Sequence, residues 1–206
     1  MRARHGILLV ATGVLLASVA GTALAQGAAP AQSTGPADIK TPITIAELFN
    51  KAKPGMWVRL EGTPQPDQTI HCTKARLISG NIDDNDCQIR GQIRAVAPAA
   101  RQLTIGGHVV KIKDSPKLTP IETLHSINDL KVGMFVKVVG TYSPDGLLAR
   151  KVDDQSADVA GKAGAEKKVL HQGKVERVDP VRKAIVLMGS TFVLTPDTKA
   201  TAVVMM

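Results

Sequence analysis

A nine-residue phrase occurs twice in this 206-residue chain, with an offset of seventy-eight positions. Residues 55–63 read GMWVRLEGT and residues 133–141 read GMFVKVVGT, so glycine, methionine, aromatic and basic residues recur at matching places. Within each copy apolar residues take alternate positions, which is the period of a half-buried β-strand. A strand phrase that returns after this interval predicts a fold built from repeated small β units.

A second phrase recurs with an offset of eighty-two positions. Residues 91–98 (GQIRAVAP) match residues 173–180 (GKVERVDP), and each copy is followed by a turn and a hairpin, at 103–112 and at 185–194. The full unit is strand, turn, strand, strand, short helical link, strand, strand, and residues 89–153 contain all of it. Because such a unit has enough strands for its own core, the repeat predicts small domains rather than a solenoid.

The flanking copies are incomplete in opposite senses. Residues 43–88 supply only the second half of the unit, and residues 170–206 supply only the first half. One hypothesis is that the C-terminal hairpins pair with the N-terminal segment and close a composite barrel, which would leave no orphan sheet edge. Residues 154–169, rich in Ala, Gly and Lys, would then be the linker. The alternative is two open half-domains that lean on the central barrel.

The N-terminus has the order of regions found in a secretory signal peptide. Two arginines precede an apolar run over 7–20 and the small-residue pattern ALA at 23–25. The run is short for a bilayer span, which needs about 20 residues. We therefore expect cleavage after Ala25 and a periplasmic or secreted mature protein; an uncleaved anchor is the alternative. Residues 26–42, rich in Ala, Gly, Pro, Gln and Ser, are expected to form a flexible leader.

A short helix is predicted at the start of the folded part. Thr44 and Glu47 have the spacing of a capping box, and Pro54 ends the segment. A strand is predicted over 69–79 as a hairpin partner of the first phrase. The chain is therefore expected to be mainly β with one or two short helices.

Two cysteines follow the signal peptide. Cys72 and Cys87 would face an oxidising compartment, so a disulfide between them is predicted. It would close a loop of about fifteen residues, worth about 3 kcal/mol. A redox pair or half of a metal site are the alternatives, but the spacing is not C-x-x-C and only His71 is close.

The central unit carries a recognisable set of spacings. These are G-x-I-x-x-V from residue 91, L-x-I from 103, DLKVG at 129–133, V-x-V-x-G from 136 and LLARKV at 147–152. This pattern resembles a family of small bacterial envelope domains catalogued as a domain of unknown function, and its layout is similar to the oligonucleotide/oligosaccharide-binding (OB) barrel. The segment 41–62 also resembles bacterial periplasmic OB-fold proteins. The resemblance implies tandem OB-like small β-barrels and supplies no catalytic residues.

The aromatic residues are few, five in the whole chain. Trp57 and Phe135 are equivalent in the repeat and stand beside Arg59 and Lys137, on the strand face opposite the core. Either they pack under a helix or the neighbouring unit, or they form a binding surface together with Tyr142. A row of stacking rings is missing, which argues against nucleic acid as a partner and weakens carbohydrate binding.

A polar cluster precedes Cys87. Asn81, Asp83 and Asn85 present oxygen atoms at alternate positions, followed by Asp86, and this spacing suits a hard cation such as calcium. The sixth position lacks the required glycine, so the loop is not an EF-hand. A solvated turn is the alternative.

Catalytic patterns are missing from the sequence. The histidines after the signal peptide are far apart, and there is no nucleophile elbow or phosphate-binding loop. We therefore expect no enzyme and no cofactor.

The net charge favours anionic partners. Removing two arginines from 26 basic residues leaves 24 against 18 acidic ones, a charge of +6. The prediction is a noncatalytic exported module that binds another envelope protein or an anionic envelope component. The alternative is a periplasmic OB-fold protein that binds a small ligand or a cation.

Overall fold

The computed structural model describes residues 39–120 and 124–205. The predicted signal peptide and all but the last four residues of the predicted leader lie outside the described residues. The described chain is mainly β with two short α-helices, which confirms the predicted fold class. Its elements are, in order, β1 (Ile39–Pro42), α1 (Ile45–Lys51), β2 (Trp57–Pro64), β3 (Ile70–Gly80), β4 (Cys87–Ala97), β5 (Gln102–Ile105), β6 (His108–Thr119), β7 (Phe135–Ser143), β8 (Gly146–Asp154), α2 (Ser156–Val159), β9 (Val169–Asp179), β10 (Ala184–Leu187) and β11 (Ser190–Met205).

Helix α1 begins at the predicted capping box. The Thr44 hydroxyl accepts a hydrogen bond from the Glu47 backbone N–H at 3.1 Å, and the Glu47 carboxylate accepts one from the Thr44 N–H at 2.7 Å. The helix buries Leu48 and Phe49 and packs beside β11. None of the helices in the described residues is long and apolar enough to cross a membrane.

The central barrel, residues 87–154, is a closed ring of five strands. The order is β4–β5–β6–β8–β7, and β7 returns to pair with β4. β6 and β8 are parallel and the other neighbours are antiparallel. Side chains that alternate along these strands fill the interior, among them Ile93, Leu103, Val110, Val138, Leu147 and Val152.

The remaining long strands close a second ring, the composite barrel, in the same order. β9, β10 and β11 come from the C-terminal part of the chain, and β3 and β2 come from the N-terminal part. β2 pairs with β9 to complete the ring. β11 and β3 are parallel, as β6 and β8 are in the central barrel. The interior contains Val58, Leu60, Ala75, Ile185, Phe192 and Leu194.

Strand β1 extends the composite barrel within the segment predicted as leader. Residues 39–42 pair antiparallel with 201–204 of β11, so the folded chain begins before the predicted limit at residue 43. The reason is that β11 is sixteen residues long and offers a free edge beyond β10.

The two barrels meet where β4 pairs with β9. Three residue pairs form this seam, with Ile89 opposite His171 at its centre. These two positions are separated by eighty-two residues, the offset of the repeat, so equivalent positions of the two units face each other. The units are thus related by an approximate two-fold axis through the seam, and their buried residues form one continuous core.

The predicted disulfide is not formed. Cys72 and Cys87 are both free and buried. Cys72 lies on β3 in the composite barrel, where its thiol donates to the Lys74 carbonyl at 3.3 Å. Cys87 begins β4 in the central barrel opposite Gly140. Cys72 and Cys87 are only fifteen positions apart, but they belong to different barrels. Their spacing in the sequence does not indicate this. Burial raises the pKa of the Cys72 thiol to about 12.

Candidate functional site

The outer surface of the strands around the seam carries a group of basic side chains. Arg59 on β2 lies directly opposite Arg76 on β3, and Arg90 on β4 lies directly opposite Lys137 on β7. Lys151 on the neighbouring strand β8 completes the group. We call these five residues the cationic face. Like charges directly opposite one another destabilise a sheet, so this arrangement is unfavourable for the isolated protein.

Four of the five charges are close enough to affect the titration of one of them, Lys137. Partial burial lowers the pKa of Lys137, and the positive charges of Arg59, Lys151 and Arg90 lower it further. Asp153 acts in the opposite direction. Because Arg59 belongs to the composite barrel and Lys137 to the central barrel, the cationic face is one electrostatic unit that spans the seam.

Side-chain hydrogen bonds orient the two arginines nearest the seam. Arg59 Nε donates to Gln172 Oε1 at 2.7 Å, and Arg90 Nε donates to Gln155 Oε1 at 2.5 Å. The Arg90 guanidinium also lies 5.0 Å from the centroid of the Phe135 ring, a cation–π distance. These contacts fix the planes of the guanidinium groups, as recognition of a carboxylate or phosphate requires.

Two acidic side chains, Glu61 and Asp153, lie next to residues of the cationic face. Glu61 lies two residues from Arg59 on β2, lines a small cleft together with Arg59 and Arg76, and forms an ion pair with Lys74 at 3.2 Å. Asp153 lies opposite Lys137 and accepts hydrogen bonds from Thr119 and Gln155. The five cations of the face outnumber these two carboxylates, so the surface keeps an excess of positive charge.

The equivalent residues Trp57 and Phe135 have different surroundings. Phe135 is 3% exposed. Its backbone N–H donates to Ser156 Oγ at 3.0 Å and its carbonyl accepts from Gln155 N–H at 2.7 Å, so the segment before β9 is anchored to it. Trp57 is half-buried. Phe135 is thus packed under a neighbouring segment, whereas part of the Trp57 side chain is accessible at the surface.

Trp57 and Tyr142 line the same cleft, one from each barrel. We call it the aromatic cleft; its volume is about 260 Å³. Apolar side chains of Met188 and Val175 and the thiol of Cys87 also line it. Its remaining wall is polar and consists of Asp84, Thr141, Lys174 and Glu176.

The acidic turn predicted as a cation loop forms one border of the aromatic cleft. Asp84 pairs with Lys174 at 2.6 Å, and Asp86 pairs with Arg150 at 2.8 Å. Asn85 Oδ1 accepts a hydrogen bond from the Thr141 hydroxyl at 2.7 Å.

Two further residues of this turn remain near its surface. Asp83 caps it through Asn85 N–H, and Asn81 is exposed. Of the oxygen ligands of the predicted loop, those of Asn85 and Asp86 therefore contact protein side chains, and that of Asp83 accepts from a backbone N–H. Over 39–120 and 124–205, no three histidine, cysteine or acidic side chains are grouped to hold a metal ion.

Two histidines that are far apart in the sequence come together beneath the seam. The rings of His108 and His171 meet edge to face with centroids 4.6 Å apart, and His108 Nε2 is hydrogen-bonded to Ser190 Oγ at 2.6 Å. His171 is fully buried, and neither ring nitrogen has a hydrogen-bond partner within the described residues. Burial lowers the pKa of both imidazoles, so both are neutral at pH 7.

A second cleft of about 450 Å³ opens above His108. It contains the glycine turn between β5 and β6 and several polar side chains, including Gln92, Arg94, Lys167 and Ser190. No sequence motif indicates this cluster. The signal that could have located it is the repeat itself, because His108 and Ser190 are separated by eighty-two positions and therefore meet near the two-fold axis.

Comparison with known proteins assigns only the central barrel. No curated protein and no solved structure matches the chain. Residues 90–153 match a protein family described as a domain of unknown function (DUF5666). This range runs from the fourth residue of β4 to the last but one of β8. The central barrel therefore contains a DUF5666 domain.

Proposed function

We propose that this chain is a noncatalytic, exported module of the cell envelope that binds an anionic envelope component through the cationic face. The observation that carries the proposal is the register of the sheet. It places Arg59 opposite Arg76 and Arg90 opposite Lys137, so two pairs of cations lie directly across neighbouring strands.

Such a register favours a bound anion. Each like-charge pair destabilises the free sheet, and a carboxylate or phosphate bound between the two cations would remove that repulsion. Arginine presents two parallel N–H groups to such an anion, and the hydrogen bonds of Arg59 and Arg90 to glutamine side chains reduce the side-chain freedom that is lost on binding.

The architecture supports a binding role. In both barrels the third and fifth strands are parallel neighbours and the ring is closed between the first and fourth, which is the layout of an OB barrel. We propose that both barrels are of this type. The residues of the cationic face lie on the fourth and fifth strands of both barrels and on the first strand of the central barrel, so one extended ligand would contact the two barrels together.

The N-terminal pattern supports an envelope location. The basic residues, apolar run and ALA motif within 1–25 are typical of a signal peptide that is removed on export. The mature chain would then meet acidic lipids and acidic polysaccharides, both of which carry phosphate or carboxylate groups.

The experiment measures binding of the mature chain to phosphatidylglycerol vesicles, phosphatidylcholine vesicles and an oligogalacturonate. We expect binding to at least one anionic ligand, none to phosphatidylcholine, and a steep loss of affinity with added salt. The substitution Arg90→Gln is expected to lower the affinity about fivefold.

The matched control is Lys40→Gln, which removes the same charge from the exposed strand β1, outside the cationic face. It should bind as the unmodified chain does. Equal losses in the two variants would show that only net charge matters and would contradict the proposal, as would the absence of binding to every anionic ligand.

A further inference from the structure

We infer that the anionic component is an acidic polysaccharide and that one of its sugar rings occupies the aromatic cleft between Trp57 and Tyr142. This inference rests on the proposed function, because it identifies the class of ligand that the cationic face would hold. It adds a second contact, made by the C–H face of a sugar ring, which carries no charge.

The composition of the chain makes this cleft unusual. The protein has one tryptophan and one tyrosine. They lie on β2 and β7, in different barrels, yet both line the aromatic cleft. Tryptophan and tyrosine combine a flat apolar surface with a polar edge, which suits ligands that are apolar on one side and hydrogen-bonded on another.

The repeat provides an internal comparison. At the offsets of the repeat, the positions of Tyr142, Met188 and Glu176 are occupied in the other copy by Pro64, Gly106 and Arg94. Those three residues line the second cleft, above His108. The same place in the fold is therefore aromatic and acidic on one side of the two-fold axis and polar and basic on the other. The barrel does not require a tyrosine at this place, so Tyr142 serves a feature specific to the aromatic cleft. Trp57 has the aromatic counterpart Phe135, which is buried in the other copy.

The chemistry of the cleft matches a sugar ring. The ring faces of Trp57 and Tyr142 can pack against the C–H face of a pyranose, and the carboxylates of Asp84 and Glu176 and the ammonium of Lys174 can bond to its hydroxyls. Asp84 is paired with Lys174 at 2.6 Å, and Glu176 accepts from Gly189 N–H at 3.0 Å, so these groups are already positioned.

Size and charge narrow the choice of occupant. A volume of about 260 Å³ is below the roughly 300–1,000 Å³ of sites for drug-sized molecules, so it fits a single ring. Two carboxylates and one ammonium give the cleft a net negative charge, so a uronate ring would enter it with its uncharged C–H face and direct its carboxylate toward the cationic face. A lipid headgroup or a free phosphate would therefore bind at the cationic face and leave the aromatic cleft empty.

The aromatic cleft lies next to the cationic face on the same side of the sheet. Trp57 and Arg59 are two residues apart on β2 and point to the same side of the sheet, about 7 Å from each other along the strand. Lys174 pairs with Trp57 and Gln172 with Arg59 on the neighbouring strand, so the surface is continuous. A polysaccharide with a ring at Trp57 would place its following acidic groups over the arginines.

The experiment uses the emission of Trp57, the single tryptophan of the chain, during titration with tetragalacturonate, maltotetraose and phosphatidylglycerol vesicles. We expect tetragalacturonate to change the emission and to bind more tightly than neutral maltotetraose. Tyr142→Ala should weaken tetragalacturonate binding about fivefold to tenfold and leave binding to the vesicles unchanged.

A second variant protects the test if Tyr142→Ala does not fold. Tyr142 is half-buried and packs against the core, and Tyr142→Leu keeps an apolar side chain there while removing the flat ring. Tyr142→Leu should fold and should also weaken tetragalacturonate binding.

The outcomes separate the two proposals. Vesicle binding without tetragalacturonate binding would overturn this inference and leave the proposed function intact. So would tetragalacturonate binding that leaves the Trp57 emission unchanged, or that is equal in both variants and the unmodified chain. The absence of binding to both anionic ligands would overturn the proposed function itself.

Discussion

Ile89 and His171 face each other across the seam between the two barrels and are the same position of the repeat. Both are fully buried. One copy therefore fills this place with an apolar side chain, and the other fills it with an imidazole whose two nitrogens have no hydrogen-bond partner within the described residues. A buried polar group without a partner lowers stability by about 1–3 kcal/mol.

The first prediction is that His171→Ile stabilises the protein. The substitution removes the unpaired polar atoms, and isoleucine already fills the equivalent place in the other strand of the seam. We expect the free energy of unfolding in urea to rise by about 1 kcal/mol or more. The control is His71→Ile on the exposed face of β3, which should change stability by less than about 0.5 kcal/mol. A large loss of stability in His171→Ile would show that the imidazole has a partner.

The second prediction is that the protein loses stability at acidic pH because of its two buried histidines. The folded-state pKa values of His108 and His171 lie below the ordinary value of about 6.5. Above that value both residues are neutral in the folded and unfolded states and do not affect stability. As the pH falls below about 6.5, the unfolded chain binds protons that the folded chain excludes. The free energy of unfolding therefore decreases, by at most about 1.4 kcal/mol per pH unit for each histidine.

The loss of stability caused by the histidines can be separated from the loss caused by the carboxylates. The lowered pKa values of Glu47, Asp67 and Asp129 affect stability only as the pH falls through their ordinary range near 4. Urea unfolding between about pH 7 and about pH 5 should thus show the histidine effect alone. His171→Ile should have a clearly smaller slope than the unmodified chain. Equal slopes would mean that His171 is protonated in the folded state.

The part of the fold that sequence could predict is the part determined by local patterns. The capping box at Thr44, the alternating strand phrases and the short link before β7 depend on neighbouring residues, and their spacing is visible in the chain. The order of strands within the central unit follows from the same patterns.

Contacts across the two-fold axis could not be read in this way. His108 and His171 meet because β4 pairs with β9, and Trp57 and Tyr142 line one cleft for the same reason. No local pattern encodes that pairing. Proximity in sequence was misleading for Cys72 and Cys87, because the acidic turn between them carries the chain from one barrel into the other.

The third prediction is that the cysteines behave as independent buried thiols. Burial raises the pKa of both, most strongly for Cys72, so little reactive thiolate is present at neutral pH. Ellman's reagent should detect two thiols after denaturation and react only slowly before it. Addition of dithiothreitol should leave the melting temperature unchanged, whereas reduction of a disulfide across this loop would remove about 3 kcal/mol of stability.

The fourth prediction tests the repulsion within the cationic face. Arg76→Glu places a carboxylate opposite Arg59, which converts a like-charge pair into an attractive one. We expect stability to rise by about 0.2–1 kcal/mol and affinity for anionic ligands to fall. Arg76→Gln removes the repulsion without adding an attraction. Its stability should lie between that of the unmodified chain and that of Arg76→Glu. If both variants are less stable than the unmodified chain, the arginine pair is not repulsive in the folded protein.

The fifth prediction uses the glycine that ends the repeated phrase. Gly62 in β2 and Gly140 in β7 are equivalent, and a Cβ atom on either would overlap the backbone carbonyl oxygen of the hairpin partner, that of His71 or of Leu148. Both positions lie where the register shifts between the strands, so the backbones approach closely there and cannot move apart without breaking the ladder.

Alanine should therefore destabilise both barrels by a similar amount, about 2 kcal/mol or more, measured by thermal unfolding followed by circular dichroism. Gly107→Ala is the control for glycine at a tight turn, since its Cβ would meet open space and only its φ of +88° opposes the change. Gly107→Ala should lower the free energy of unfolding by less, about 1 kcal/mol. A severe effect at Gly140 together with none at Gly62 would mean that the N-terminal strands do not form the same close hairpin as the central barrel. It would also remove the support that the repeat gives to the composite barrel.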